Sequence, residues 1–476
     1  MNRLRKPVSV PFWFLLFGAF SLVVALLNRI LLPSVRWLFR TRANRVIQQA
    51  NDRLSLRIPE FKLTPRKELI GRLVYDPDLI ETVAEQSRET GTPRDVLMQH
   101  VERYANEIVP AFNAYVYFRY GIGLARAITN LFYRLRVEQL DAAAMQRLDT
   151  DSSSIVFVMN HRSNTDYLLL GLLASNHTTL SYAVGEWAKP FPLRHFIKGV
   201  GGFFVRRGSG NPLYRRVLER YVQMATRAGV VQVIFPEGRL TADGRLREPR
   251  IGLLDYMLRT FRTGEQRDLV LVPVAVNYDR TVEDRNMSRS ADTREGKPSK
   301  WANLWNSVKF AGHNIPLLIA GTRYRFGQAV VNVGSPVSVS DWARQHGIEF
   351  ADLPREERIT QAQALAGALM EEIGRIIPVL PVSVVATVLV EAGSTWLTRE
   401  ALYARTRELL DRLEAQGARI YIPRDTERQA LDGALDSLAL RRLVEVEGPL
   451  TEGALCRANP AELPLLRYYA NSIAHL

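Results

Sequence analysis

"SIVFVMNHRSNTDYLLL", residues 154–170, joins two apolar runs through a polar stretch that carries two titratable side chains, His161 and Asp166. Its first part is short, β-branched and almost continuously hydrophobic, the pattern of a strand buried on both faces. The second apolar run starts at Tyr167. Were the whole stretch helical, five residues would turn through about 500° and leave His161 and Asp166 roughly 140° apart, unable to meet. A helix must therefore start between them. Ser163 or Asn164 supplies a cap, Asp166 falls in the first turn, and His161 stays on the strand-to-helix loop, free to fold back toward the carboxylate. Ser163-x-x-Asp166 also fits a capping box, a structural use of an aspartate beside the positive end of a helix. His161 has no comparable structural reason.

The same strand pattern recurs in "LSYAVG" (residues 180–185), "VVQVIF" (230–235) and "LVLVPVAV" (269–276), with helical patterns between them. In "LYRRVLERYVQMATRAG" (213–229), Leu213, Val217, Tyr221 and Met224 form one stripe, arginines fill the other face, and Gly229 is a natural stop. The alternation predicts an α/β fold: a mixed, mostly parallel sheet flanked by helices, with its ligand site beyond the strand ends. Residues 51–150 read as helical with no convincing strand, and "RDVLMQHVERYANEIVPAF" (94–112) carries an amphipathic stripe. "AYVYFRYGIGLARAITNLFYRL" (114–135) is apolar but broken by arginines, which suits a membrane surface or an interdomain face. The expected organisation is a membrane-anchoring segment over 1–50, a helical N-terminal domain over 51–145, a catalytic domain over 146–345 and a mainly helical C-terminal domain over 346–476.

Composition narrows the partners. Among 476 residues, 63 Lys plus Arg exceed 49 Asp plus Glu by 14, which favours a polyanionic partner: nucleic acid, anionic lipid or a phosphate-rich cofactor. The single cysteine, Cys456, forms no internal disulfide and reads as a buried small hydrophobe. The histidines show no ligand spacing, so no metal is expected. "VSVPFWFLLFGAFSLVVALL" (8–27) carries no charge, and a helix of that length rises roughly 30 Å, the thickness of a bilayer's hydrocarbon core. A cleaved signal peptide and a hairpin dipping into one leaflet are the competing readings. The flanking arginines mildly favour a cytosolic carboxyl side.

Three further stretches follow the His161 loop in order: "GGFFVRR" (201–207), "FPEGR" (235–239) and "VPVAVNYDR" (272–280). With them, the chain resembles the membrane-bound glycerol-3-phosphate and dihydroxyacetone-phosphate acyltransferases, the H-x-x-x-x-D phospholipid acyltransferases, whose four sequence blocks read in this order. Gly201, Phe204 and Arg207 fit the second block, Glu237 and Gly238 the third, and Pro273 the fourth. The resemblance extends to "RKELIGRLVYDPDLI" (66–80), "NEIVPAFNAYVYFR" (106–119), "PVLPVSVVATVLV" (378–390) and "LRYYANSIAHL" (466–476).

The resemblance implies acyl transfer from a thioester, acyl-CoA or acyl carrier protein, to the sn-1 hydroxyl of glycerol 3-phosphate, in phospholipid biosynthesis. His161 would take the hydroxyl proton and Asp166 would fix the imidazole tautomer and steady the cation. No covalent acyl-enzyme and no cofactor is expected, since no serine sits in a G-x-S-x-G elbow. Backbone amides at the start of the helix after His161 would hold the oxyanion. For the acceptor phosphate, Arg207 is the first candidate, with Arg206 as its substitute and Phe204 and Pro273 in support. Glu237 and Gly238 belong with the acceptor site, where Glu237 would organise the arginines or the acceptor hydroxyls and not act as an acid. The third block departs from the family order Glu-Gly-x-Arg: Arg239 follows Gly238 at once and Leu240 stands in the arginine's place. Arg239, Arg245 or Arg250 is then the remaining phosphate ligand, and lysophosphatidate and dihydroxyacetone phosphate stay open as acceptors. A non-catalytic membrane protein retaining the fold is the alternative from another class.

Membrane lipids are the expected surroundings, at a bacterial inner membrane with the catalytic domain facing the cytoplasm, and no nucleic-acid partner is expected. Two more regions remain. Residues 279–301 read as a solvated or mobile loop, or as a cover for the active site. A helix over 397–417 with a short hairpin in 443–466 gives a winged-helix-like pattern.

Overall fold

The computed structural model describes residues 58–141, 143–144, 151–175, 178–189, 192–206, 208–265, 267–285, 326–448 and 454–476. Residues 55–476 form one compact unit. The apolar N-terminal segment expected to anchor the chain lies outside the described residues. Among those described, no helix is long and apolar enough to cross a membrane.

The sequence-predicted strand at residue 154 is β2 (Ser153–Met159), and all of its residues are buried. Its side chains alternate between two cores: Val156 and Val158 face one, Ile155, Phe157 and Met159 the other. That is why the run shows no polar alternation. β2 is central to an eight-stranded sheet built from β1 (Arg134–Gln139), β3 (Ser181–Val184), β4 (Gly202–Phe204), β5 (Gln232–Ile234), β6 (Asp268–Tyr278), β7 (Gln328–Val333) and β8 (Val337–Ser338). The order is β1-β7-β6-β2-β5-β3-β4, with β8 also on β6. Strands β6, β2, β5, β3 and β4 run parallel, whereas β7 and β8 are antiparallel to β6.

Pro273 sits inside β6 without breaking it. Ladder partners on that side stop at Leu271 and resume at Val274, so the missing N–H falls in a gap. The Pro273 carbonyl is used there by the Gly334 amide, at 2.9 Å.

Helices cover both faces. N-terminal helices α1 (Arg66–Val74), α2 (Pro77–Thr90) and α3 (Arg94–Ile108) precede α4 (Ile122–Phe132), α5 (Asp166–Ala174), α6 (Leu193–Gly199), α7 (Pro212–Arg227) and α8 (Gly252–Leu258). Helix α7 begins at Asn211, whose side chain accepts from the Tyr214 amide, with Pro212 at the first helical position. It packs on α1, α2, α3 and α8, while α4 packs on α5.

The reading of residues 51–150 as strand-free is corrected by β1. "RLRVEQ" is almost wholly exposed and carries three charges, so no buried face marks it, and it is a strand because β7 pairs with it. The expected solvated loop after residue 279 is corrected in its first part. Asp279 accepts from the Gln328 amide at 2.7 Å, and Thr281 and Asp284 are buried; residues 286–325 lie outside the described set.

Beyond the sheet, α9 (Val339–His346) and α10 (Arg355–Arg375) lead to α11 (Pro381–Ala392), α12 (Arg399–Ala415), α13 (Glu427–Leu440) and α14 (Leu463–Ala470). The hairpin Val444–Glu447 with Leu455–Ala458 pairs with Leu397–Thr398, completing the winged-helix-like pattern. Cys456 is buried in this hairpin, and burial pushes its thiol up to about 11.

Candidate active site

Four parallel strands, β2, β5, β3 and β4, release their carboxyl ends on one edge of the sheet. Their loops meet around a cavity of about 520 Å³ lined by His161, Gly185, Arg206, Phe235, Gly238 and Arg239, with α8 and α10 completing the wall. This is where an open α/β sheet places its ligand site.

The floor starts with Asn160, the first residue after β2. Its side chain mimics a peptide group: Nδ2 donates to the Val276 carbonyl at 3.0 Å and Oδ1 accepts from the Val276 amide at 2.8 Å. The loop's departure point is thereby fixed to β6. His161 Nδ1 stands 2.9 Å from Asp166 Oδ2, both groups buried. The same oxygen accepts from the amides of Arg162 (2.9 Å) and Ser163 (3.1 Å). Asp166 Oδ1 accepts from the Tyr278 hydroxyl at 2.5 Å.

An acceptor-only carboxylate facing Nδ1 requires that nitrogen to carry the proton, which leaves Nε2 with its lone pair for an incoming hydroxyl. The ring is held by Phe235, centroids 4.2 Å apart, and edge-on by Tyr167. Asp166 is the first residue of α5, and its cap is Thr165, not Ser163 or Asn164. Only half of the capping box forms: the aspartate takes the Ser163 amide, while Ser163 Oγ accepts from the Thr165 amide.

The amides of the loop ahead of α5 are committed to side chains. Amides of His161, Arg162, Ser163, Asn164 and Thr165 already donate, in turn, to Glu237, Asp166, Asp166, Glu283 and Ser163. The turn's donors hold the turn.

Glu237 reaches the backbone of the histidine. Oε1 accepts from the His161 amide at 2.8 Å, its side chain is buried, and it does not line the cavity. Burial raises its carboxyl to about 7, against the pull of the His161 amide and the Arg162 charge. It is a support under the histidine. Gly238 does line the cavity, at φ +70°, and a β carbon there would stand 3.0 Å from Arg250 Cδ.

The rim is cationic. Arg239 and Arg250 line the cavity and are exposed, whereas Arg245 is exposed away from it and Leu240 does not line it. Arg206 also lines the cavity, but Glu107 grips it, with Nε to Oε1 at 2.9 Å and Nη2 to Oε2 at 2.5 Å. Its plane lies over Tyr104 and Tyr214. Burial alone would raise Glu107, yet hydrogen bonds from Arg206 and Lys189 outweigh it and hold the carboxyl at about 2. Phe204 is buried against Val184 and Ala188 behind the wall. Arg207 lies outside the described residues.

Sequence reasoning missed Asn160, Tyr278 and Glu283. Each lies in or just beyond a quoted motif, but nothing in its spacing shows that it turns toward Asp166 or its loop.

The geometry agrees with what comparison shows. A family model described as acyltransferase matches residues 134–277, and one for the glycerol-3-phosphate acyltransferase C-terminal region matches residues 318–476. Proteins named glycerol-3-phosphate acyltransferase from Actinobacillus succinogenes and Pseudomonas paraeruginosa are each 26% identical to the chain, over 90% and 91% of its length. One from Pseudomonas aeruginosa is 27% identical over 91%. The chain spans about half the length of these curated relatives, 51% in each case. A solved 1-acyl-sn-glycerophosphate acyltransferase from Thermotoga maritima aligns at 16% identity and a TM-score of 0.29, over 65% of this chain and 97% of its own. The chain thus carries an acyltransferase region that holds the His161–Asp166 pair and, behind it, a region similar to the C-terminal part of glycerol-3-phosphate acyltransferases.

Proposed function

We propose that this protein transfers a fatty acyl group from an acyl thioester to the sn-1 hydroxyl of glycerol 3-phosphate. The observation that carries the reading is the His161–Asp166 pair, buried at 2.9 Å on the wall of a cavity with a cationic rim. Nε2 of His161 takes the hydroxyl proton as the oxygen attacks the thioester carbonyl. The tetrahedral intermediate collapses, the C–S bond breaks, and the departing thiolate takes the proton back from the imidazolium. Asp166 keeps the ring in the reactive tautomer throughout.

Arg239 and Arg250, which line the cavity, receive the acceptor phosphate on this reading, with Arg207 as the third candidate from the sequence. Apolar residues of the same cavity, among them Val184, Val205, Ile234 and Leu253, suit the acyl chain. The donor is acyl-CoA or acyl carrier protein. Residues 1–50 anchor the chain at the bacterial inner membrane, with the catalytic domain, 146–345, on the cytoplasmic side. The exposed Tyr120 and Leu124 ahead of the sheet support contact with a lipid surface.

Leu240 in the third block favours one second reading, lysophosphatidate or dihydroxyacetone phosphate as acceptor. A panel of the three acceptors with one labelled acyl donor, supplied as acyl-CoA and as acyl carrier protein, separates them. Product from glycerol 3-phosphate is expected. Exclusive use of lysophosphatidate would reject the first reading, and no thiol release with any acceptor would leave a non-catalytic member of the fold.

A further inference from the structure

The segment that follows β6 faces two ways. On one side Glu283 holds the His161 loop: Oε2 accepts from Ser163 Oγ at 2.7 Å and Oε1 from the Asn164 amide at 3.1 Å. On the other side the next residue, Asp284, is buried and accepts from both Arg441 Nη2 and the Tyr469 hydroxyl. Arg441 itself donates to the Tyr469 oxygen at 3.0 Å, and Arg285 donates to the Arg441 carbonyl at 3.0 Å.

Tyr468, beside Tyr469 on α14, donates to the Arg162 carbonyl at 3.3 Å and lies under its guanidinium. The chain closes so tightly here that a β carbon on Gly244 would stand 1.9 Å from the Tyr468 carbonyl oxygen. The "LRYYANSI" stretch near the chain's end thus reaches the loop that carries the histidine, more than 300 residues earlier in the chain.

We propose that the turn at residues 282–285 is a two-sided clamp, through which Arg441 and Tyr469 of the C-terminal region position the His161 loop for acyl transfer. The inference rests on reading His161–Asp166 as the reacting pair. Neither Arg441 nor Tyr469 lines the cavity, so both are positioning residues acting through Asp284 and Glu283. Five loop amides are held by side chains, and Glu283 is the support whose next residue, Asp284, is gripped by side chains of the C-terminal region. An imidazole displaced by about 1 Å loses on the order of a hundredfold in rate, so the clamp's effect falls on turnover and not on substrate affinity.

The test uses the full chain with Tyr469→Phe, Ser163→Ala, the double variant, and Arg424→Ala as a control that breaks only an exposed pair with Glu414. Amide exchange in the peptide spanning 160–166 should rise about tenfold in Tyr469→Phe, the effect of losing one hydrogen bond to a charged group. Exchange in the strand 153–159 should stay unchanged, and Arg424→Ala should alter neither. Turnover should fall with the acceptor KM held within about twofold, and the double variant should fall no further than Ser163→Ala alone. Glu283→Gln, which keeps an acceptor for the Asn164 amide, should recover part of what Glu283→Ala loses.

Loop exchange that stays put, or that rises equally in the strand, overturns the clamp, as do effects on turnover that multiply. The exchange arm needs no substrate. A protein that couples in exchange but acylates no acceptor therefore refutes the functional reading and leaves the physical coupling standing.

Discussion

The floor and the rim of the cavity are built on opposite principles. On the floor, Asp166 receives four hydrogen bonds, and every amide from His161 to Thr165 is held by a side chain. At the rim, Arg239 and Arg250 stand exposed, and Arg206 is already paired with Glu107. A preorganised floor serves the proton transfer that any acyl acceptor needs, because fixed donors and acceptors need no rearrangement as charge develops. On the proposed reading, the exposed guanidinium groups choose among acceptors. The proton transfer then sits in the part of the site that tolerates least change, and acceptor preference in the part that tolerates most.

That contrast breaks most visibly at Asp166. Asp166→Asn puts an NH₂ group among three donors and removes the charge that fixes the tautomer; kcat should fall by about 10²- to 10⁴-fold, measured beside a far-ultraviolet spectrum that shows the fold retained. A loss below about tenfold would mean that the floor is only structural. At the rim the split should be reversed. Replacing Arg239 and Arg250 together by alanine should raise the acceptor KM by about ten- to a hundredfold, the worth of charge-assisted hydrogen bonds, with kcat changed less than about threefold. If kcat falls instead, the rim takes part in the chemistry.

Glu237 tests the floor through pH. Its carboxyl is raised by burial to about 7 in the folded chain, from an ordinary value of 4.5, so the folded state binds the extra proton between those values. Stability then falls as pH rises through that window, and the loss is complete above it. Glu237→Gln keeps an oxygen for the His161 amide and removes the titration. Its melting temperature should exceed that of the parent at pH 8 and match it near pH 4, a difference on the order of 3 kcal/mol at most. A pH profile parallel to the parent's would mean that Glu237 does not titrate there. The smallest effect belongs to Arg206→Ala. A partly exposed pair contributes at most about 1 kcal/mol, and because Glu107 already holds the guanidinium, the acceptor KM should stay within about twofold of the parent's. A KM shift as large as that of the Arg239 and Arg250 variant would show Arg206 leaving Glu107 for the phosphate.

Much of the fold was legible because burial on both faces writes itself into β2, β5 and β6 as unbroken apolar runs. β1 was not, because an exposed edge strand rich in arginine carries no periodic signal and takes its form from β7. Helix geometry put the start of α5 between His161 and Asp166, and it took the later sequence blocks and the family resemblance to mark the two as a reacting pair. Glu237 was legible as part of the site, but its bond to the His161 amide was not. A buried carboxylate that supports a backbone amide and one that binds a ligand leave the same letter in the sequence, and only the third dimension separates them.

The most direct measurement follows thiol release from an acyl thioester on addition of glycerol 3-phosphate, comparing the parent with His161→Gln at matched folded concentration. Acceptor-dependent release that drops by about 10²- to 10⁴-fold in the variant is the predicted result. Undiminished release from the glutamine variant would contradict general-base catalysis by His161.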